Sequence, residues 1–399
     1  MTSDKIKKQG GTFILNKYEP IHRWYSYIEG YSSCLISAEF QKLLTINPNI
    51  KTVYDPFCGT GTTALVASQK NILSYYSESN PFMRSVIETK INLVREACQT
   101  TTTKELRRYI DIIPFYQSEV DAYWGGFEKF FDAHQLSEIL IIKDLIQKES
   151  NALVKQFLSL ALSSIIVKVS KMIRRGDLRY ATEKEYQFID VRQCFIAKLL
   201  EIIDDINCYG EQLLQGTIKV SDDARNNEYL DEFDCVITSP PYLNGTNYIR
   251  NTKLELKLND FISSESDMSV FHSKGIVAGI NNVSKRTETT VVLPLVQQYI
   301  DALKPVAYDE RIAKMVNGYF NDMDIVIRKL SCSIKCGGLF TMDIGDSQFA
   351  GVHIPTHQIL ADICKEYGFT LFDDEILRQR KSKNGMVLSQ RLLRFRLEK

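Results

Sequence analysis

The stretch Thr52-Val-Tyr-Asp-Pro-Phe-Cys-Gly-Thr-Gly-Thr-Thr-Ala-Leu-Val-Ala67 decides how this chain begins to fold. Thr52-Val-Tyr54 is a short β-favouring run. Asp55–Thr63 is a glycine-rich turn, and Ala64-Leu-Val-Ala67 opens a helix. A second apolar run, Ile72-Leu-Ser-Tyr-Tyr76, follows and ends in Glu78-Ser-Asn-Pro81. Strand, turn, helix and strand in this order open a parallel α/β sheet.

The turn also says what it holds. Gly59 and Gly61 let the backbone approach a ligand closely, and the following helix offers unpaired N–H groups. A phosphate loop would end Gly-Lys-Ser/Thr, whereas this turn ends Gly61-Thr-Thr63 and lacks the lysine. A dinucleotide turn would space three glycines. Asp55 opens the turn instead, and a carboxylate there suits a cationic ligand group. Glu78 closes the second strand, where an acid reaches ribose hydroxyls in nucleotide-binding sheets. A nucleoside with an amino-acid tail satisfies both, and S-adenosyl-L-methionine is such a molecule. After the third strand, Asp222 or Asp223 is placed to accept from an adenine amine, with Ala224 beside it.

Composition bounds the rest. The chain has 399 residues, with 44% hydrophobic and 25% charged residues, which is ordinary for a globular protein. Its nine cysteines are scattered and odd in number. Only Cys332 and Cys336 lie close together, so neither a zinc site nor a disulfide framework is expected, and a reducing cytoplasm is the simplest home. MTSDKIKKQGG lacks a signal-peptide core, and no apolar run reaches membrane-spanning length. No metal and no membrane are expected as partners. Formal net charge is zero. Local charge is uneven, however: the segment 168–192 carries Lys171, Arg174, Arg175 and Arg179 among tyrosines. Such a segment either grips nucleic acid or forms a solvated helix end and hairpin.

Residues 1–50 read as an arm and helix closing the ligand site. Residues 51–98 and 211–399 read as the α/β domain, with an insertion at about 255–330. Residues 99–210 read as a mostly helical insertion, because Leu136–Ile146 and Val154–Val169 show apolar stripes at helical spacing. This insertion holds the basic segment and is the candidate recognition region. Strand character returns at Gly216–Val220, Cys235–Thr238 and Gly337–Ile344. Pro355–Tyr367 reads as a helix stopped by Gly368. Phe369–Arg378 and Arg391–Leu397 read as a closing hairpin whose loop, 381–390, carries Lys381 and Lys383.

The strand Cys235–Thr238 ends on Ser239-Pro-Pro-Tyr242. Two prolines fix φ and remove two N–H donors. The result is a rigid wall rich in acceptors at the carboxyl end of a strand, where α/β proteins hold substrates. Ser239 Oγ and the carbonyls of Ser239 and Pro240 suit a planar amine, and Tyr242 suits an aromatic ring. The series DPFCGTGTT, ESNP, DDAR and TSPPY resembles the motifs of the DNA amino-methyltransferases, over residues 51–96, 216–250 and 336–397. That resemblance implies a Rossmann-like seven-stranded methyltransferase sheet with a closing antiparallel hairpin. It places Asp55, Phe57, Gly59, Gly61 and Glu78 in the cofactor site, with Thr62, Ser79, Asp223 and Ala224 beside them. It makes Ser239, Pro240, Pro241 and Tyr242 the catalytic tetrad. HRWYSYIEGYS resembles the N-terminal motif of that family, so Trp24 and Tyr31 are expected at the cofactor. Double-stranded DNA is the implied partner, with a cognate restriction endonuclease as a possible second, in a prokaryotic cytoplasm at the nucleoid.

A serine at the first tetrad position is typical of cytosine-N4 enzymes, whereas most adenine-N6 relatives carry Asp or Asn. Both targets stay open. A cytosine-C5 enzyme would need a Pro-Cys nucleophile, which does not occur in the chain. An RNA base methyltransferase and a non-catalytic DNA-binding subunit are the other readings. The helical block between the second and third strands departs from the family pattern, so recognition is expected to come from the insertions.

Overall fold

The computed structural model describes residues 12–27, 29–121, 123–243, 246–283, 291–382 and 384–398. Its centre is a seven-stranded sheet whose strands lie in the order Phe369–Lys381, Val387–Leu397, Ile334–Gly345, Phe233–Thr238, Thr52–Asp55, Leu73–Ser77, Thr217–Ser221. The strands are β1 (Thr52–Asp55), β2 (Leu73–Ser77), β5 (Thr217–Ser221), β6 (Phe233–Thr238), β7 (Ile334–Gly345), β10 (Phe369–Lys381) and β11 (Val387–Leu397). From β5 to β7 all neighbours are parallel. β11 runs antiparallel to β7, and β10 antiparallel to β11. This is the expected Rossmann-like sheet with its closing hairpin.

The period of two along a strand sends alternate side chains to opposite faces. Val53, Cys235, Ile237 and Leu339 face one core with the helices Ser33–Ile46 and Thr62–Gln69. Tyr54, Val236, Phe340 and Met342 face the other, with the helices Pro294–Leu303, Arg311–Ser333 and Thr356–Glu366. A sheet covered on both faces explains why β1 and β6 read as apolar runs rather than alternating ones. Arg311–Ser333 lies mostly within the expected 255–330 insertion, yet it is part of the crossover that joins parallel strands β6 and β7.

Asp234 explains the acidic lead-in to β6. Its Oδ2 accepts the N–H groups of Lys51 and Thr52 at 2.7 and 2.9 Å. It thereby sets the register of β1 against β6 at their amino ends. The strand order reverses between these two strands, since β2 and β5 lie beyond β1 while β7 lies beyond β6. Loops leaving the two strands at their carboxyl ends therefore part company and open a crevice.

The segment 99–210 holds the helices Thr102–Ile112, Ala133–Gln147, Ala152–Ile165 and Val191–Tyr209, with a small hairpin of β3 (Met172–Arg175) and β4 (Asp177–Tyr180). It shares one continuous core with the N-terminal arm and with the helix Pro81–Glu88. Among the described residues no helix is long and apolar enough to cross a membrane.

Charge is buried where the arm, the small hairpin and the helix Lys253–Leu258 meet. Arg174 Nη2 donates to Glu255 Oε1 at 2.6 Å and to the Asn251 carbonyl at 2.6 Å, and Nη1 donates to the Tyr25 hydroxyl at 3.0 Å. The Glu255 side chain is 1% exposed and that of Arg174 8%. Losing one partner of such a pair leaves the other charge without compensation. Glu255→Ala should lower the unfolding free energy by about 3–5 kcal/mol in urea denaturation. A loss of about 0–1 kcal/mol would mark the pair as solvent-screened instead.

Candidate active site

β1 and β6 lie side by side, so the glycine turn and Ser239-Pro-Pro-Tyr242 leave the sheet as neighbours. Thr238 Oγ1 donates to Asp55 Oδ1 at 2.6 Å, and the Phe57 N–H reaches the same oxygen at 3.1 Å. The Tyr31 hydroxyl donates to Asp55 Oδ2 at 3.0 Å and also contacts Thr63. Asp55 is 2% exposed, and burial raises its carboxyl. This acid, expected to meet a cationic ligand, is spent on bracing the arm, the turn and the tetrad strand together.

Around the brace runs a cleft of about 460 Å³, large enough for a nucleoside-sized ligand. The turn supplies Phe57, Gly59 and Thr62 to its wall; Glu78 and Ser79 come from the end of β2, and Ala224 from the segment after β5. All four tetrad residues and Tyr31 line it too. Gly59 has φ +56°, and a Cβ there would stand 3.4 Å from the Tyr27 ring, so the arm lies directly against the turn. Gly61, φ +82°, caps the helix Thr62–Gln69 behind the wall, where a Cβ would come 3.3 Å from Ile87.

Glu78 Oε2 accepts the Gly59 N–H at 2.9 Å, and Oε1 accepts that of Asn80 at 2.8 Å. The motif Glu78-Ser-Asn-Pro81 thus has two jobs. Its acid props the glycine turn, while Asn80 caps the helix Pro81–Glu88, with Pro81 in its first turn. Glu29 also lines the cleft, and its Oε2 is buried without a partner among the described residues. An acceptor of that kind calls for a donor from a ligand.

Tyr242 is held from several sides. Its N–H donates to the Tyr248 hydroxyl at 3.0 Å. Its hydroxyl donates to Asp343 Oδ1 at 2.9 Å and accepts from Gln390 Nε2 at 3.0 Å. A Cβ on Gly345 would stand 3.3 Å from two ring carbons, so the ring rests on that glycine. Burial raises the Asp343 carboxyl to about 6 and the Tyr242 hydroxyl well above its ordinary value. The Ser239 hydroxyl, by contrast, has no hydrogen-bond partner among the described residues.

Trp24, Asp223 and Arg174 also stand elsewhere. Trp24 is fully buried; its Nε1 donates to Asp205 Oδ2 at 2.8 Å and its ring meets Phe157 edge-on. It anchors the arm to the helical segment, and Tyr27, Glu29 and Gly30 reach the cleft in its place. Asp223 is engaged by Arg225, through Nε at 2.8 Å and Nη2 at 2.7 Å; Asp222 lines the cleft instead, itself held by Lys219 and Lys274 at 3.1 Å and Arg84 at 3.2 Å. Arg174 is taken by Glu255, as described above, because a guanidinium in the protein interior needs a fixed counter-charge.

Of the other basic candidates, Arg175 and Arg179 lie against Glu185 at 3.3 and 3.0 Å, and Lys171 is half-buried. Lys381 is exposed, and Lys383 falls outside the described residues. The expected loop 381–390 is shorter than its reading, because β11 starts at Val387. Leu388, Ser389 and Gln390 are therefore strand residues, and they line the cleft together with Arg378 and Arg380.

Burial raises the Glu78 carboxyl from 4.5 to about 7, so the fold favours its protonated form. That contribution to stability is complete below about 4.5 and is lost as pH rises through about 7. The stability difference between wild type and Glu78→Gln should move in the variant's favour across that window. Calorimetric or urea unfolding at a series of pH values measures it, and a difference that does not vary with pH would contradict the raised value.

No family model matches the chain. It is 25% identical to the Type II methyltransferase M.AvaI of Nostoc sp., over 92% of this chain and 83% of that one. It is 22% identical to M.BsoBI of Geobacillus stearothermophilus, over 95% and 84%. With M.MvaI of Kocuria varians the figures are 20%, 90% and 84%. Among solved structures, a SAM-dependent methyltransferase of Methanosarcina mazei gives a TM-score of 0.28 at 6% identity, covering 87% of this chain and 92% of that one. The rRNA methyltransferase aviRa of Streptomyces viridochromogenes gives 0.31 at 10%, covering 91% and 85%. Superpositions that loose carry no argument, and the fold rests on the strand order. The sequence likeness is to Type II methyltransferases, and it spans most of this chain and most of each of theirs.

Proposed function

We propose that the protein methylates the exocyclic N4 amine of cytosine in duplex DNA, with S-adenosyl-L-methionine as the methyl donor. The observation that carries this reading is the contrast within the tetrad. Tyr242 is fixed by Asp343, Gln390 and Gly345, while the Ser239 hydroxyl faces the cleft with no partner among the described residues. A planar amine offers two N–H donors. Ser239 Oγ and the carbonyls of the proline pair are acceptors on a rigid backbone that has no N–H of its own at Pro240 and Pro241. The serine favours cytosine, as its place in the motif implies.

The cleft fits the donor. Glu78 at the end of β2 is placed for ribose hydroxyls, Asp222 for an adenine amine, and the unpartnered Glu29 oxygen for a charged amino group. Phe57 and Ala224 supply apolar walls between them. The bound donor contributes an electrophilic methyl on a sulfonium. The protein's part is to orient the amine and to draw electron density from its N–H bonds, so positioning and electrostatics supply most of the acceleration. The amine of a stacked base cannot reach a recessed wall, so the target nucleotide leaves the duplex. A bacterial cytoplasm and a partner restriction endonuclease belong to the same proposal and rest on family likeness.

The deciding assay incubates the protein with unmethylated DNA and S-adenosylmethionine and identifies the product nucleoside by mass spectrometry. N4-methylcytosine is expected. N6-methyladenine would retain the geometry and overturn the base, and methylation of RNA alone would overturn the substrate.

Ser239→Ala should keep cofactor affinity by calorimetry and lose about a hundredfold or more in single-turnover methylation. Wild-type turnover would remove Ser239 from the tetrad's work. Gly345→Ala should push the Tyr242 ring outward and slow methylation by about tenfold to a hundredfold, again with unchanged cofactor affinity. Undiminished turnover would show that the ring's seat is not needed.

A further inference from the structure

We propose that the β10–β11 hairpin grips the DNA backbone beside the target nucleotide, with Arg378 and Arg380 as two phosphate contacts. The proposal rests on the reading of the cleft as a DNA methyltransferase site, and adds to it the surface that holds the strand.

The charge pattern along the hairpin changes sharply. At its base, acids and bases are matched: Arg394 bonds Asp373 at 2.8 Å and Glu375 at 3.0 Å, and Arg391 bonds Asp374 at 2.5 Å. Beyond them, residues 376–390 contain Arg378, Arg380, Lys381 and Lys383 and no Asp or Glu. Arg378 and Arg380 are exposed, and neither has a hydrogen bond or ion pair among the described residues. Two unpaired guanidinium groups at one end of a chain with zero net charge are a local field seeking an anion.

Geometry says where that anion lies. Residues two apart on a strand share a face, and both arginines line the catalytic cleft. The register sets Arg378 opposite Gln390 and Arg380 opposite Leu388. Gln390 is the residue whose amide bonds the Tyr242 hydroxyl at 3.0 Å. One cross-strand step therefore separates the nearer guanidinium from the tetrad's own support. A nucleotide whose base enters at Ser239 carries its flanking phosphates to the mouth of the same cleft. The planar fork of arginine matches a phosphate better than a lysine does. β10 is an edge strand, and charge on an edge also blocks unwanted pairing. That purpose would be met by charges on either face, whereas these two are turned to the cleft.

The test measures binding of the full chain to a fluorescein-labelled DNA duplex by anisotropy over a series of KCl concentrations. Each phosphate contact contributes about 0.9 to the slope of log affinity against log salt. The double variant R378Q/R380Q should reduce that slope by about 1.8 and weaken binding at low salt. Its affinity for S-adenosylmethionine, read by calorimetry, should not change. Arg396→Gln, an exposed residue toward the base of β11 and paired with Thr370, should leave the slope as in wild type. A double variant with the wild-type slope overturns the clamp alone, leaving the reading of the cleft intact. Failure of the wild type itself to bind DNA overturns both.

Discussion

The bond between Thr238 and Asp55 is the constraint on which the site depends. It joins residues 183 positions apart, at 2.6 Å, across the two strands where the sheet changes direction. Both groups are buried, so the cost of desolvating the carboxylate must be offset locally. Three donors from three segments do so: the tetrad strand, the glycine turn and the arm. Each of those segments forms part of the cleft wall, so the cleft's shape follows from satisfying one acid.

The same economy recurs around the site. Asp234 sets the amino ends of β1 and β6, and Asp205 gathers the Ile21 N–H, the Trp24 indole and Arg23. Arg225 folds Asp223 and Asp322 together beneath the segment after β5. These groups are polar because they connect elements that are distant in sequence, and a directional bond fixes position where apolar packing alone would leave latitude. Among the described residues, Ser239, one oxygen of Glu29 and the hairpin arginines face the cleft without a protein partner.

Much of this was legible in the residues. The glycine turn and Ser239-Pro-Pro-Tyr242 announced themselves because each combines conformationally special residues with a strand end, and such combinations have few other uses. The strands of the sheet were found nearly where they lie. Trp24, Asp223 and Arg174 read as ligand-facing in the sequence and lie away from the cleft in the structure, for a shared reason. Residue type and motif position show that a group can serve a ligand, but not whether another side chain has already claimed it. Asp205, Arg225 and Glu255 made those claims, and none is near its partner's motif except Arg225. Tyr27 was passed over because the arm carries several aromatics at short spacing, and only the path of the chain decides which one faces the turn. The crossover helix Arg311–Ser333 reads as insertion in the sequence because nothing in its residues says that it packs on the sheet.

The placement of β11 has a further consequence. This strand follows β10 in the chain, yet it lies inside the sheet, between β7 and β10. During synthesis the parallel half can assemble first, since domains fold as their segments emerge. Until residue 387 and beyond are available, β7 presents an open edge, and Tyr242 lacks the Gln390 amide that secures it. An open parallel edge is a template for pairing with another chain. Placing β11 therefore does two things at once: it covers the edge of β7 and brings Gln390 to the Tyr242 hydroxyl.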